Sequence, residues 1–300
     1  MCAIIIAVIM MNDYLVKAYA FSGTVRIYSA TTKHLVSHAQ KIHDLWPTSS
    51  AALGRLLTAS VIMGAMYKGD QELTIRVESD GPIKGMVTTT NAKGHVRGYV
   101  GNPHVFLQYD SGKLNVGQAV GNGFIHVTKD VKVRDTFTST SVIRTGEIAE
   151  DFAYYFTASE QIPSAVSLGV KVEADNSILH AGGFILQIMP GCPEETLQSI
   201  EERLAILPSI TTLLEDNHTP ETIIDAITDG DHELLEELPL SYQCDCSKEK
   251  FERGLISLGK EELETLLHED GKIETYCHFC ATTYEFNHEE IKALIDEAKK

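Results

Sequence analysis

Positive charge is scarce in this chain, and it is scarcest toward the C-terminus. Lysine and arginine number 25 against 42 aspartates and glutamates, a formal net charge of −17. Residues 1–190 are almost balanced at +1, residues 191–243 carry one arginine against 13 acids, and residues 244–300 carry 8 basic and 14 acidic side chains. Neutralising phosphates requires clustered Lys and Arg, so nucleic-acid binding by the C-terminal half is disfavoured. Long apolar runs are also missing. The one candidate, Met1-Cys2-Ala3-Ile4-Ile5-Ile6-Ala7-Val8-Ile9-Met10-Met11, is too short to span a bilayer as a helix. It has no basic flank, the first lysine being Lys17, so a secretory signal is not expected. Residues 1–10 read as a start-site extension, the cytoplasm is the default compartment, and no membrane partner is expected. There is no internal repeat, no low-complexity tract and no G-x-x-x-x-G-K-[ST] phosphate loop.

What is present is an ordinary globular composition with 43% apolar and 22% charged residues, enough to build a real core. Residues 13–36 alternate and are rich in β-branched and aromatic types, predicting one or two strands. Trp46-Pro47-Thr48 opens a long Ala/Leu/Met segment to about Tyr67, with Leu53, Leu56, Leu57 and Met63 at helical spacing; it predicts a largely buried helix. From Leu73 the period changes to two, and turn signals such as Asp80-Gly81-Pro82 and Gly121-Asn122-Gly123 predict a hairpin-rich sheet. Residues 147–168 read as helical or mixed, and Gly182–Ile188 as a last core strand. The fold class is therefore α+β, with a sheet-and-helix core domain over residues 11–190.

Residues 191–243 change character. Leu197, Ile200, Leu204 and Leu207 form a helical stripe that Pro208 interrupts; Ile210, Leu213 and Leu214 continue it. Thr219-Pro220 is a helix start ahead of Ile223, Ile224 and Ile227, and Pro239 ends the segment. The prediction is an acidic linker of short helices, each too short to persist in water without a surface to dock on.

Cysteine is sparse as well, but four of the six fall in the last 57 residues in two tight pairs: Cys244 and Cys246, then Cys277 and Cys280. In a reducing compartment such pairs are metal ligands or redox centres. Four thiolates suit tetrahedral zinc, and a Cys-x-x-Cys knuckle points two sulfurs at one ion. Lys272–Tyr276 and Thr283–Phe286 read as strands hinged at the knuckle, followed by a helix capped by Asn287 with Glu290 in the capping-box position. A unit over 244–300 with so few large apolar residues needs a staple. His268 and His278 are weaker ligand candidates, since four thiolates suffice. On spacing alone a purely structural zinc site and a redox switch both remain open: the sulfurs within each pair are near enough to bridge, and thiolates are the form that oxidants attack. Cys2 and Cys192 read as bystanders.

These features resemble the 33 kDa chaperonin family of redox-regulated heat-shock holdases. The resemblance rests on the two cysteine pairs and their spacing, Cys277-His278-Phe279-Cys280, Asp13-Tyr14-Leu15-Val16-Lys17-Ala18, Trp46-Pro47-Thr48 leading into Ala51-Ala52-Leu53-Gly54-Arg55, Asn91-Ala92-Lys93-Gly94 and Ala181-Gly182-Gly183-Phe184. It covers about residues 11–300. It implies a core domain, a helical linker and a small C-terminal zinc-binding domain; an inactive reduced form holding Zn2+ on Cys244, Cys246, Cys277 and Cys280; and no catalytic residues. It further implies that oxidation with heat forms Cys244–Cys246 and Cys277–Cys280 disulfides, releases zinc and loosens the linker. The active form, often a homodimer, then binds unfolded or partially folded client proteins without ATP. Two other classes stay in view: a thiol–disulfide oxidoreductase using Cys277 and Cys280, and a zinc-ribbon nucleic-acid binder.

Overall fold

The structure, a computed structural model, describes residues 13–130 and 136–298; the apolar extension at 1–10, with Cys2, lies outside them. The strands are β1 (Tyr14–Ala20), β2 (Val25–Thr31), β3 (Glu72–Ser79), β4 (Met86–Asn91), β5 (His95–Val100), β6 (Gly123–Asp130), β7 (Thr136–Val142), β8 (Ser164–Val172), β9 (Ile178–Ile188), β10 (His232–Pro239), β11 (Ser241–Tyr242), β12 (Ile273–Tyr276) and β13 (Thr283–Phe286). The helices are α1 (Lys33–Ile42), α2 (Pro47–Gly64), α3 (Val116–Val120), α4 (Ala149–Ala158), α5 (Glu194–Ile206), α6 (Ile210–Glu215), α7 (Pro220–Thr228), α8 (Lys248–Ile256), α9 (Lys260–Asp270) and α10 (His288–Ala298). The chain divides into two compact units, one ending at Tyr242 and the other beginning at Gln243.

The first unit holds a five-stranded sheet ordered β10-β1-β2-β9-β8 and a six-stranded sheet ordered β11-β5-β4-β3-β6-β7. Helix α2 touches β8 and β9 of one and β4 and β5 of the other. Its composition requires that position: every residue but Pro47 and Arg55 is buried, and a helix small or apolar all round must be covered all round. At Gly54 a Cβ would come within 2.7 Å of Val36 and 2.8 Å of Val170, so only glycine permits this approach to α1 and β8. The buried hydroxyls of α2 find partners across the layers, Thr58 with Thr32 at 2.7 Å and Ser60 with Thr88 at 2.5 Å. The largely buried Arg55 guanidinium is tied to the Glu147 carboxylate at 2.6 Å.

Helices α6 and α7 lie on the five-stranded sheet, and α5 packs on α7. Ile200, Ile210, Leu213, Leu214, Ile223, Ile224 and Ile227 close over Val16, Ala18, Val25, Ile27, Phe184 and Leu186. This is the docking surface that helices of this length require. By its contacts the whole segment 191–242 belongs to the first unit.

Two expectations need correction. Residues 164–168, read from sequence as helical or mixed, open strand β8, and Ser164 onward pairs antiparallel with β9. Residues 232–239 are strand β10, not helix. His-Glu-Leu-Leu-Glu-Glu-Leu-Pro reads equally well either way. The decision comes from Asp229 and Gly230, which end α7 at φ +55° and +82°, and from the edge of β1, which supplies seven partners. Gly94 has a matching role: at φ +79° its missing Cβ leaves room for the Pro239 carbonyl oxygen, which a Cβ would meet at 2.3 Å.

Glu160 supplies an acid-sensitive brace. It takes both oxygens to Lys129 Nζ, at 2.7 and 2.8 Å, and accepts from the Tyr155 hydroxyl at 2.5 Å. Burial alone would push this carboxyl up, but the bonds from Lys129 and Tyr155 outweigh it and hold it below 4.5. A depressed folded-state pKa contributes stability that is complete above the unfolded value and is lost as pH falls through the folded one. Thermal stability is therefore expected to drop as pH falls below about 4.5. In a Glu160→Gln chain that drop should be shallower; an unchanged pH slope would rule out Glu160 as a contributor.

Candidate metal centre

The second unit is small. A β12–β13 hairpin, paired Ile273↔Phe286 through Tyr276↔Thr283, packs with α8, α9 and α10 around Leu255, Leu263, Ile273, Phe286, Ile291, Leu294 and Ile295. The cap of α10 has the predicted form: Asn287 Oδ1 accepts from the Glu290 N–H at 3.0 Å, and Glu290 accepts from the Asn287 N–H at 2.9 Å. Helices α8 and α9, which fill the gap between the cysteine pairs, were not anticipated. Their signals are the Ser247 cap, which accepts from the Lys250 N–H at 3.3 Å, and Gly271 at φ +67° closing α9.

All four predicted cysteines converge. Cys277 and Cys280 occupy the β12–β13 turn, closed by the Cys277 N–H to Thr282 O at 2.9 Å and the Ala281 N–H to Cys277 O at 2.8 Å. Cys244 and Cys246 lie on the irregular segment that leads into α8. The four sulfurs lie within 4.8 Å of one another, and among the described residues they form the only such group of potential metal ligands. Neither His268 nor His278 belongs to it. Cys192 stands apart, against the α5–α7 docking surface.

Across the pairs, Cys244 lies 3.7 Å from Cys277 and Cys246 lies 3.2 Å from Cys280. Zinc–sulfur bonds of about 2.3 Å would space the sulfurs of a tetrahedron about 3.8 Å apart. The donor set thus fits a soft divalent ion in number, softness and spacing. The thiols by themselves share charge unevenly. Burial pushes Cys246 up to about 12, reinforced by hydrogen bonds among the sulfurs. Burial also acts on Cys280, but bonds with Thr282 and Cys246 outweigh it and bring that thiol down to about 7. Four anions this close repel one another, and a divalent cation is the natural way to keep all four deprotonated. Tyr284, which the sequence reading missed, places its hydroxyl 3.2 Å from Cys246 Sγ and stacks its ring on Phe251 at 5.1 Å. Its clue was its position one pleat inward from the knuckle.

The geometry agrees with what comparison with known proteins finds. A family model described as Hsp33 protein matches residues 13–287. A 33 kDa chaperonin of Bacillus cereus is 53% identical over 289 residues, covering 95% of this chain and 99% of its own. One from Bacillus licheniformis is 50% identical over 287 residues, with the same coverage. The crystal structure of the 33 kDa chaperonin (heat shock protein 33 homolog) of Thermotoga maritima superposes with a TM-score of 0.90 at 34% identity, covering 95% of this chain and 98% of that one. By class, then, this mixed α+β fold with its C-terminal thiol cluster is a chaperone and not an enzyme. The chain belongs to the Hsp33 family. No described helix is long and apolar enough to cross a membrane.

Proposed function

We propose that the chain is a redox-regulated, ATP-independent holdase of the cytoplasm. Cys244, Cys246, Cys277 and Cys280 are its metal ligands and its redox centre, and unfolded proteins are its clients. The single observation that carries this reading is the convergence of four thiols at the focus of a unit with few buried apolar side chains. Bound there, Zn2+ would staple the unit and keep the sulfurs as thiolates. Each pair of thiolates can give two electrons to hydrogen peroxide, which takes two protons from solvent and leaves as two waters while a sulfur–sulfur bond forms. Bridged sulfurs no longer serve as anionic donors, so the folding free energy of metal binding is withdrawn.

The effect reaches the first unit through the backbone. Only Gln243 separates Cys244 from β11, and Leu240 joins β11 to β10. When the module melts, the segment 191–242 loses its anchored end, and the apolar faces of α5–α7 and of the sheet beneath become available to clients. The 13 acids of 191–243 keep the opened form soluble. Exposed apolar surface also favours a homodimer in the oxidised state. An oxidoreductase fits less well: its Cys-x-x-Cys belongs at a helix start in a βαβ setting, whereas Cys277 and Cys280 lie in a hairpin turn.

The test is zinc content and suppression of aggregation of a heat-unfolded protein, measured before and after peroxide at raised temperature. Zinc is expected at about one ion per chain before treatment, falling toward zero as aggregation suppression appears. Equal protection in both states would overturn the reading.

A further inference from the structure

Strand β10 is held unlike any other strand in its sheet. It pairs antiparallel with β1 from Tyr14↔Pro239 to Ala20↔His232, with a bulge between Lys17 and Ala18. None of its eight residues is buried; Leu234 is 46% and Leu235 47% exposed. Its side-chain anchors lie at its two ends, where Leu238 packs on the core and His232 meets the Thr228 hydroxyl at 2.8 Å. Between those ends it is kept by the main-chain ladder and the Lys17–Glu236 ion pair at 2.8 Å, and beyond its end by a short clasp. In the clasp Leu240 is buried, β11 makes two pairs with β5, and the Tyr242 hydroxyl donates to Gly98 O at 2.8 Å. The clasp ends at the last residue of the first unit.

β1 differs from β10: its side chains are mostly buried, and it pairs with β2 along its other edge. With β10 gone, β1 stays in place as the border of the sheet, because the strand order puts nothing else beside it. A bare border strand offers a row of unpaired N–H and C=O groups, a ready template for an added strand.

Beside this edge lies a cavity of about 590 Å³, one wall of which is Leu235 and Glu236 of β10. Lys17, Arg26, Lys68 and Lys93 line it together with Tyr28 and Tyr67. The Nε of Arg26 is buried without a hydrogen-bond partner. Lys93 is tied to Asp70 at 2.7 Å and Lys17 to Glu236 of β10, and even so cations outnumber acids in the lining of this cleft; its present neighbour is the acid-rich strand Glu-Leu-Leu-Glu-Glu-Leu.

We propose that the β1 edge from Tyr14 to Ala20, vacated by β10, is a client-docking surface that takes an extended, carboxylate-bearing stretch of unfolded polypeptide as a replacement strand. β10 is then a built-in stand-in for the client. Recognition through the backbone explains how one site serves many sequences, while the cleft favours stretches in which acids alternate with aliphatic residues. This inference rests on the holdase reading above.

The experiment uses the full chain, reduced with zinc and oxidised without it. Hydrogen–deuterium exchange is followed at β1, β2 and β9, with and without a reduced, carboxymethylated protein as unfolded client. On oxidation the β1 amides that face β10 are expected to lose at least tenfold in protection, while those that face β2, and the amides of β2 and β9, keep theirs; adding the client should restore the β10-facing set. A synthetic peptide of sequence HELLEELP should compete with the client for the oxidised chain. The same peptide N-methylated on alternate amides, in both registers, should compete at least tenfold more weakly, since methylation removes strand pairing and keeps the side chains. If the oxidised chain suppresses aggregation while β1 stays protected, or if both peptides compete equally, the edge proposal is overturned and the holdase reading stands. If the oxidised chain does not suppress aggregation at all, both fall.

Discussion

A Cys277→Ser chain is expected to bind zinc far below one equivalent and to lose the fold of residues 243–300 without any oxidant. Three thiolates and a hydroxyl are a poor set for a soft ion, and Cys277 is the most buried of the four. The magnitude decides the outcome. Metal binding supplies about 10–16 kcal/mol in small zinc modules, whereas whole domains are stable by only about 5–15 kcal/mol. A cluster of seven buried apolar side chains cannot replace a contribution of that size. Exchange protection in α10 and near-ultraviolet ellipticity from Tyr284 should both collapse, and aggregation suppression should become independent of peroxide. A zinc-free Cys277→Ser chain that keeps α10 protected would sink the staple argument.

The same physics bears on which sulfurs pair when the natural chain is oxidised. Sulfurs that touch across the pairs in the folded unit are separated by 33 and 34 residues in sequence. Once the module melts, closing such loops costs about 2 kcal/mol more per bridge than closing loops of two or three residues, before ring strain. Proteolytic mapping of the oxidised chain is thus expected to recover Cys244–Cys246 and Cys277–Cys280. Recovery of Cys244–Cys277 would mean that oxidation precedes melting.

Ile224→Ala should make aggregation suppression independent of oxidation. Ile224 is fully buried where α7 meets the five-stranded sheet. Truncating a buried Ile to Ala costs about 2–5 kcal/mol, and helices as short as α6 and α7 have little stability of their own to set against it. The segment 191–242 should then open while the metal stays bound. The expected result is aggregation suppression in the reduced state, unchanged zinc stoichiometry and intact exchange protection in α2 and α10. A variant that remains inactive when reduced, with the α7 amides demonstrably exchanging, would separate opening from client binding and disprove the coupling.

Much of this was legible in the residues. Helix α2 announces itself because its composition leaves it nowhere to go but between two layers. The module's hairpin, its Asn287 cap and the spacing within each cysteine pair are local features, each written within a few positions. The hydrophobic stripes of α5–α7 predict correctly that they need a surface. Legibility ends where a segment's conformation depends on a distant partner. His232–Pro239 satisfies both periodicities, and its fate is settled by an open edge on a strand more than two hundred residues earlier. Ser164–Val172 is a strand because β9 lies beside it. Tyr284 reaches Cys246 because a hairpin and an incoming segment meet at one focus.

The sequence by itself determined which atoms can share a metal, where the acids gather and which helices are too short to stand alone, because those properties travel with the residue or its near neighbours. Only the tertiary structure decided that the sulfurs lie within 4.8 Å of one another and that an acidic strand covers the border of the core sheet. Both are non-local pairings, specified by the energy of the whole chain and not by any stretch of it.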